Sequence, residues 1–224
     1  MAAGSGKRCG GNTPKQFRTI CGKPVLVHTV ERFLQAGAAV TVVVSAGNEP
    51  MVATLLAKHF PNTHFSVVAG GAERFHSVSC GIDTLSNVPD DALVAVHDAV
   101  RPLLSPQMIE RGYLTAQQFG SAVPVVAVTD SVRQVAADGS SKSLERSSLR
   151  AVQTPQIFPL GTLRKAYQQP FSPAFTDDAS VVEAMGVKIA LYEGETTNFK
   201  ITYADDLKRA ASIMRTQNGC TSSK

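Results

Sequence analysis

The sequence lacks the residue patterns that bind metal ions or build disulfides. It contains four cysteines and five histidines. The cysteines form no C-x-x-C pair, and no histidine lies at metal-ligand spacing from them. The histidines also have no nucleophile pattern around them. These absences argue against a zinc site and against a catalytic triad, and they indicate reduced thiols of the cytosolic kind.

Long apolar runs and basic runs are missing as well. No apolar stretch reaches the roughly 18 residues that a membrane span needs, and the first residues contain no apolar signal region. The formal net charge is +4 without any Lys/Arg-rich run, whereas nucleic-acid binders usually show such runs. We therefore expect a soluble, cytoplasmic protein with no membrane or nucleic-acid partner, whose positive charge serves small anionic substrates.

Two hydrophobic patterns alternate along the chain. Nearly continuous β-branched runs are typical of strands buried on both faces of a parallel sheet, although Pro124 in the last run indicates an edge position or a bulge. These runs occupy residues 39–46, 65–70, 92–98 and 121–130. Helical periodicity occupies residues 23–37, 50–60, 74–85, 105–119, 160–168, 178–185 and 204–215. This alternation predicts one α/β domain over residues 1–224, with a doubly wound, mainly parallel sheet that binds ligands at the carboxyl ends of its strands.

The stretch 125–152 interrupts that alternation. It consists of two polar, extended segments joined by the turn-rich sequence ADGSSKS. A hairpin with so few apolar residues is marginal by itself. We therefore expect an arm over about 128–150 that packs on a partner subunit and makes the protein a homodimer; the alternative is a mobile surface loop.

The first eight residues, MAAGSGKR, form a loop rich in glycine and positive charge. Glycine backbones can surround a triphosphate with N–H groups while nearby cations neutralise it. The loop matches neither G-x-x-x-x-G-K-[ST] nor the dinucleotide fingerprint. Pro14 stiffens the approach of Lys15, so that its ammonium can be aimed at one phosphate. A solvated N-terminus is the alternative for the loop taken alone.

Four further segments carry polar residues near expected strand ends or helix starts. GGAERFHS (70–77) opens a helix whose N-terminus favours anions, and VHDAVRP (96–102) ends the most apolar strand with a carboxylate. An ion pair between Asp98 and Arg101 is the simpler interpretation of the second segment. TDDAS (176–180) has the pattern of a helix start capped by Thr176 or Asp177. TNFKIT (197–202) places Lys200 in an extended segment, where a lone lysine is normally surface charge.

Taken together and in order, these segments resemble the 2-C-methyl-D-erythritol 4-phosphate cytidylyltransferase family of the non-mevalonate isoprenoid pathway. The resemblance covers residues 2 to about 210. It depends on AAGSGKR followed by PKQF, GGAERFHSV, VHDAVRP, TPQIF, TDDAS and NFKIT. It implies a Rossmann-like nucleotidyltransferase that joins CTP to a polyol phosphate.

The resemblance also implies roles for individual residues. Arg8 and Lys15 would stabilise charge on the α-phosphate of CTP, and Asp98 would orient the substrate near a Mg²⁺ ion that the triphosphate carries. Ser131 and Arg146 on the arm would enter the partner's active site, while Thr154 and Lys200 would face methylerythritol phosphate. The implied substrate-binding set is Ala3, Gly4, Ser5, Gly6, Ala72, Arg74, Ser77, Asp98, Ala99, Arg101, Ser131, Arg146, Thr154, Thr176 and Lys200.

The chain departs from the family pattern at two places. Position 131 is Ser where the family usually has Thr; the hydroxyl is kept, so we expect a small effect. In the family an apolar strand runs directly into the glycine loop, and here Met1 stands where that strand ends. We therefore expect a few apolar residues upstream, because a central strand buries several aliphatic side chains worth about 1.5–3 kcal/mol each.

Three alternatives remain open at this point. A related family makes CDP-ribitol from ribitol 5-phosphate with the same loop and PKQF element. A nicotinamide-dependent oxidoreductase could use a similar sheet, but the fingerprint glycine and an acidic ribose-binding residue are missing. A binding protein without turnover would have no use for Arg8, Lys15, Asp98 and Lys200 together.

Overall fold

A computed structural model describes residues 1–4, 9–10 and 13–217 of the chain. Its helices are α1 (Val25–Gln35), α2 (Glu49–His59), α3 (Arg74–Asp83), α4 (Pro106–Phe119), α5 (Leu160–Ala166), α6 (Asp178–Glu183) and α7 (Ala204–Gln217). Its strands are β1 (Thr19–Ile20), β2 (Lys23–Pro24), β3 (Thr41–Val44), β4 (Ser66–Ala69), β5 (Leu93–Val96), β6 (Val123–Ala127), β7 (Arg133–Val135), β8 (Ser141–Ser143), β9 (Arg150–Val152), β10 (Gln156–Pro159) and β11 (Leu191–Glu193). The α/β class is confirmed.

Helix boundaries follow the local sequence signals. Ser105 caps α4, since its hydroxyl accepts a hydrogen bond of 3.0 Å from the backbone N–H of Met108, and a proline occupies the first turn. Gly120 ends that helix in the left-handed region at φ 77°. Asp177 and Ser180 form a capping box at the start of α6, so the interpretation of TDDAS as a helix start is confirmed.

Strand pairing is mixed in the part of the chain that the structure describes. β3 and β4 are parallel, as are β6 and β11. β5 and β10 are antiparallel, as are β6 and β9, because the chain returns to the sheet after residues 128–149 in the opposite direction. The mainly parallel arrangement that the sequence predicts is therefore not reproduced in detail.

Pro124 lies in a strand that pairs on both sides, so of the two predicted positions, an edge or a bulge, the edge is wrong. Its partner on one side is Tyr192 of β11. On the other side, the neighbour of β6 changes from β10, at the Ala122–Ile157 bridge, to β9. The proline, which has no N–H to donate, is accommodated where this pairing changes.

The segment 128–149 contains an exposed two-stranded hairpin. β7 and β8 pair antiparallel from Arg133 with Ser143 to Val135 with Ser141, and all six residues are exposed. Val135 keeps 67% of its surface in solvent. The described residues of this chain do not bury the hairpin.

The first two residues bridge β3 and the end of β5. The backbone N–H of Ala2 donates to the Val43 carbonyl at 2.7 Å, and the N–H of Ala99 donates to the Met1 carbonyl at 3.0 Å. The Met1 ammonium donates to the His97 carbonyl at 2.6 Å. Burial of this ammonium lowers its pKa to about 6. These two residues therefore connect β3 to the end of β5 at the centre of the sheet.

An apolar cavity of about 480 Å³ lies beside Met1, between β3 and β5. Val43 and Ala95 from the two strands line it, together with Phe33 and Ile82 from the helices that cover the sheet. A cavity with such a lining lacks the dispersion contacts of a close-packed interior, which costs stability.

A short apolar extension should fill this cavity. Joining Val-Ile-Val-Ile-Val to Met1 should raise the melting temperature by roughly 4–8 °C, since each net kcal/mol from burial is worth about 2–4 °C in a chain of this size. The matched control is a Gly-Ser-Gly-Ser-Gly extension, which also moves the ammonium but supplies no apolar side chain. Differential scanning calorimetry that gives equal melting temperatures for the two extensions would contradict this account of the cavity.

Among the described residues, none of the helices combines the length and the apolar character that a transmembrane span requires.

Candidate active site

A second, polar cavity of about 500 Å³ lies on the other side of Met1. Five segments meet there: the N-terminal residues, a short 3₁₀ helix (Lys15–Phe17), the start of α3, the loop after β5, and the segment before α7. The cavity is lined by Met1, Ala2, Ala3, Gly4, Lys15, Gln16, Gly71, Ala72, Glu73, Arg74, Ser77, Asp98, Val100 and Lys200. Eight of the residues singled out from the sequence are therefore brought together: Ala3, Gly4, Lys15, Ala72, Arg74, Ser77, Asp98 and Lys200.

Side chains from two neighbouring elements hold the described part of the glycine loop. Gln16, which is buried, donates its amide N–H groups to the carbonyls of Ala2 at 2.8 Å and Gly4 at 3.0 Å. Ser45 donates its hydroxyl to the Ala3 carbonyl at 2.7 Å. Gln16 lies inside the PKQF element, but no role could be assigned to it from the sequence. The predicted residues Ser5, Gly6 and Arg8 lie outside the described residues.

Lys15 reaches the cavity from the 3₁₀ helix that follows Pro14. Pro14 is extended, with φ −54° and ψ 141°, and the helix begins directly after it. Only 8% of Lys15 is exposed, and its ammonium donates to the Ile201 carbonyl at 2.7 Å. A compact cation is thus held at the cavity wall, next to the segment that carries Lys200.

Asp98 is a buried carboxylate held between two cations. Its Oδ2 lies 3.2 Å from Nε of Arg101 and 3.0 Å from Nζ of Lys200. Burial would raise the pKa of this carboxyl, but Lys200 and Arg101 outweigh that effect and hold its pKa well below the usual range. The Asp98–Arg101 ion pair considered from the sequence is present, and Lys200 completes it. Asp98 is therefore ionised at neutral pH.

A second layer of polar contacts supports Asp98 from below. Its backbone N–H donates to Oγ1 of Thr154 at 3.1 Å, and the Thr154 hydroxyl lies 2.9 Å from Nδ1 of His97. Because the Arg101 carbonyl, 3.3 Å from Nε2 of His97, can only accept, Nε2 carries the proton of the neutral ring and donates to it. Nδ1 therefore accepts from the Thr154 hydroxyl, whose oxygen accepts from Asp98. Thr154 is buried in this layer and does not line the cavity.

The start of α3 forms the opposite wall. Ser77 is buried and donates its hydroxyl to the Gly71 carbonyl at 3.3 Å. A Cβ atom on Gly70 would lie 2.6 Å from Oγ of Ser77, so the close approach of this turn to the helix requires glycine there. The first N–H groups of a ten-residue helix and its positive dipole end therefore face the cavity, an arrangement that favours anions.

Arg74 lies on the first turn of α3 and forms a two-point ion pair with Asp178. Nη1 lies 2.9 Å from Oδ1 and Nη2 lies 2.5 Å from Oδ2. Burial disfavours the charged guanidinium, but the carboxylate of Asp178 outweighs this and raises the pKa of Arg74. From the sequence, Asp178 was expected only as part of a helix start, and its pairing with Arg74 was not predicted.

The remaining predicted residues lie away from the cavity lining. Ala99 is buried among the apolar residues beneath the site, Arg101 lies behind Asp98, and Thr176 is exposed just before α6. Ser131 and Arg146 are exposed, and Arg146 donates to the Thr129 carbonyl at 2.6 Å. The chain described here does not bring Ser131 or Arg146 to its own cavity.

No group of three or more His, Cys, Asp or Glu side chains that could hold a metal ion is found among the described residues. The cavity does present Asp98, and one carboxylate suits Mg²⁺, which is commonly bound through one or two carboxylates plus substrate phosphates. The donor set thus fits a magnesium ion that arrives with a polyphosphate.

The polar cavity and the α/β fold together match one class of enzyme, the nucleotidyltransferases. A family model described as 2-C-methyl-D-erythritol 4-phosphate cytidylyltransferase matches residues 1–216, and the chain belongs to this family. The protein of that name from Bacteroides thetaiotaomicron is 41% identical over 216 residues, covering 96% of this chain and 97% of the relative. The one from Symbiobacterium thermophilum is 39% identical over 216 residues, covering 95% of this chain and 90% of the relative.

Solved structures agree with this assignment. The crystal structure of 2-C-methyl-D-erythritol 4-phosphate cytidylyltransferase from Thermus thermophilus superposes with a TM-score of 0.75 at 34% identity. The superposition covers 93% of this chain and 96% of that one. The family resemblance found in the sequence is therefore confirmed.

The layer below Asp98 should make stability depend on pH through His97. Burial lowers the pKa of His97 from 6.5 to about 3. Below pH 6.5 the unfolded chain therefore binds a proton that the folded chain does not, and the free energy of unfolding falls by about 1.4 kcal/mol per pH unit. His97→Asn, which keeps an acceptor for Thr154 but cannot titrate, should be less stable at neutral pH and show a flatter decline below it.

Urea unfolding at several pH values between 6.5 and about 4.5 measures both slopes. The control is His64→Asn, because His64 is exposed in the loop before β4. Parallel curves for the wild type and His97→Asn would contradict the assignment of a buried, neutral His97.

Proposed function

We propose that this chain joins CTP and 2-C-methyl-D-erythritol 4-phosphate, and that the reaction takes place in the polar cavity. A phosphate oxygen of methylerythritol phosphate attacks the α-phosphorus of CTP, and a new P–O bond forms as the bond to the β-phosphate breaks. The products are 4-diphosphocytidyl-2-C-methyl-D-erythritol and pyrophosphate. The observation that carries this placement is the convergence of Lys15, Lys200 and the α3 N-terminus on one cavity at the end of β5.

Charge compensation is the main task of such a site. Nucleotidyl transfer needs little covalent chemistry from the protein and depends on positioning and on stabilising the charge around one phosphorus. In the proposed arrangement the glycine loop binds the triphosphate, with Arg8 and Lys15 next to the α-phosphate. Lys15 supports this because it is already held by Ile201 and needs little reordering to act.

The two substrates occupy different walls in this proposal. The cytosine and ribose lie against Ala72, Arg74 and Ser77, where the exposed backbone turn and the α3 N-terminus supply donors. The methylerythritol phosphate lies near Lys200. Both walls end at Asp98, at the carboxyl end of β5, as expected for ligand sites in a doubly wound sheet.

Mg²⁺ is proposed to enter with the triphosphate. Asp98 would contribute a carboxylate oxygen to it, and the ion would neutralise charge on the phosphates. Within the protein, Lys200 and Arg101 keep Asp98 ionised and so able to act as a ligand.

Pyrophosphate release tests the reaction and its site together. Release should require CTP, Mg²⁺ and methylerythritol phosphate, and Lys15→Ala should lower kcat by about 10²–10³, the usual effect of removing one electrostatic stabiliser. Lys58→Ala, which removes an exposed lysine from α2, is the matched control and should leave the rate unchanged. The comparisons do not favour ribitol 5-phosphate; release with that substrate alone would contradict the proposal, and full activity of Lys15→Ala would contradict the site.

We also propose that the hairpin arm completes the active site of a second subunit in a cytoplasmic homodimer. A two-stranded hairpin is marginal by itself, and every residue of β7 and β8 is exposed in this chain. Arg146 follows the hairpin and is likewise exposed, so its guanidinium is available to a partner. Ser131, at the base of the arm, would enter the partner's site with it.

Complementation between two inactive variants tests this arrangement. Lys15→Ala and Arg146→Ala should each be nearly inactive, since each damages both sites of its dimer. After unfolding and refolding together, mixed dimers would contain one intact site, and about a quarter of the wild-type activity should return for a two-fold dimer with random pairing. Activity that stays at the level of the separate variants would show that the arm does not act across subunits.

A further inference from the structure

Asp178 is a buried carboxylate that lies outside the cavity yet contacts one of its walls. It is fully buried, and it is absent from the cavity lining. Its partner Arg74 is different, because 29% of the Arg74 side chain remains exposed at the cavity. The ion pair therefore joins the Asp178 carboxylate, which is closed off from solvent, to the Arg74 guanidinium, which a ligand can reach.

The Asp178 carboxylate is held in a fixed orientation relative to the Arg74 guanidinium. Both carboxylate oxygens of Asp178 accept from Arg74, at 2.9 and 2.5 Å, which sets orientation as well as distance. The Tyr167 hydroxyl donates to Oδ1 at 2.6 Å. Tyr167 is itself held by Phe75 of α3, whose ring stacks on it with centroids 4.8 Å apart. Asp178 therefore has little freedom to rotate.

The start of α6 is tied to the sheet in the same way. Gln156 of β10 is fully buried, and its amide nitrogen donates to Oδ2 of Asp177 at 2.8 Å. Its amide oxygen accepts from the backbone N–H of Ala179 at 2.7 Å. These two contacts flank Asp178, so the position of its carboxylate is set by the sheet and not by the ligand.

We propose that Asp178 is a positioning residue for nucleotide binding: it orients the Arg74 guanidinium so that the donors left on the cavity side meet CTP. A carboxylate this close also balances the charge of Arg74. Arg74 then acts as a directional donor, while Lys15 and Lys200 supply most of the positive charge in the described part of the cavity. The inference rests on the proposed placement of the nucleotide against α3.

Steady-state kinetics of Asp178→Asn test whether the substitution raises KM for CTP while kcat is retained. The variant keeps the shape of the side chain but loses the charge and one acceptor for Arg74. KM for CTP should rise about 10- to 100-fold, the range expected for a hydrogen bond to a charged group. The values of kcat and of KM for methylerythritol phosphate should stay within about threefold, because Arg74 contacts neither the reacting phosphorus nor the second substrate.

Glu183→Gln is the matched control. It makes the same chemical change, from carboxylate to amide, in the same helix, but Glu183 is exposed at the last residue of α6. Its KM for CTP should equal that of the wild type. A rise in KM equal to that of Asp178→Asn would assign the effect to α6 as a whole and overturn the inference.

Arg74→Ala and the double variant Arg74→Ala/Asp178→Asn distinguish the positioning role of Asp178 from the proposed placement of CTP against α3. If Asp178 acts through Arg74, Asp178→Asn should raise KM for CTP in the wild type but have little further effect in Arg74→Ala. An unchanged KM in Arg74→Ala would refute the placement of CTP against α3. A raised KM in Arg74→Ala with an unchanged KM in Asp178→Asn would keep the placement and overturn the positioning role.

If Asp178→Asn does not fold, Tyr167→Phe provides a second test of the inference. It removes one donor from the same carboxylate and leaves the ion pair in place. A severalfold rise in KM for CTP, with kcat retained, supports the inference, and an unchanged KM overturns it.

Discussion

The site depends on the two ion pairs that the carboxylate of Asp98 forms. This carboxylate lies just past the end of β5 and joins two cations from different parts of the chain, Arg101 three residues later and Lys200 before the last helix. Arg101 also donates to the Asn198 carbonyl at 2.9 Å, so the segment carrying Lys200 is attached twice. A buried carboxylate without these partners would cost several kcal/mol. The same pairing therefore stabilises the fold and prepares the cavity for a charged ligand.

The two cavities beside Met1 have opposite characters because they lie on opposite sides of one short bridge. On one side, the strands β3 and β5 face an apolar space; on the other, strand ends and helix starts supply N–H groups, cations and a carboxylate. The Met1 ammonium lies between them and donates to the His97 carbonyl. Loss of hydration lowers its pKa to about 6, so at neutral pH this amine is mostly uncharged. The apolar side is thus a weak point in packing, while the polar side is held by many partners.

Part of the fold can be predicted from local sequence signals, such as the residues that cap helices. Part of the site can be predicted from charged residues at the ends of strands. The capped start of α6 needs only neighbouring residues, so the sequence predicts a helix start in TDDAS. Asp98 was found because a charged residue at the end of a buried strand is unusual, whereas Lys200 was given a role only through the family resemblance. The direction of β10 depends instead on where the chain returns after the arm, and no local pattern encodes that. Pro124 was assigned to an edge or a bulge because it has no N–H to donate, and the strands that flank it on both sides are distant in sequence.

The contacts that sequence reasoning missed join residues far apart along the chain. Arg74 and Asp178 are separated by 104 positions, and neither has a neighbour that reveals the other. Gln16 is uncharged and sits between a lysine and a phenylalanine, yet it holds the loop through two backbone carbonyls. Such residues can be recognised only when the fold has brought their partners together. They form the support behind the groups that face the ligand.

A crystal structure of the protein with CTP and Mg²⁺ would show whether the polar cavity binds the nucleotide. The triphosphate should lie beside Lys15, the base against Ala72 and Ser77 at the start of α3, and the Asp98 carboxylate next to the metal ion. Arg101 should still contact Asp98 in the complex. Nucleotide bound elsewhere on the sheet, or an Asp98 side chain turned away from both the metal ion and its cations, would contradict this arrangement.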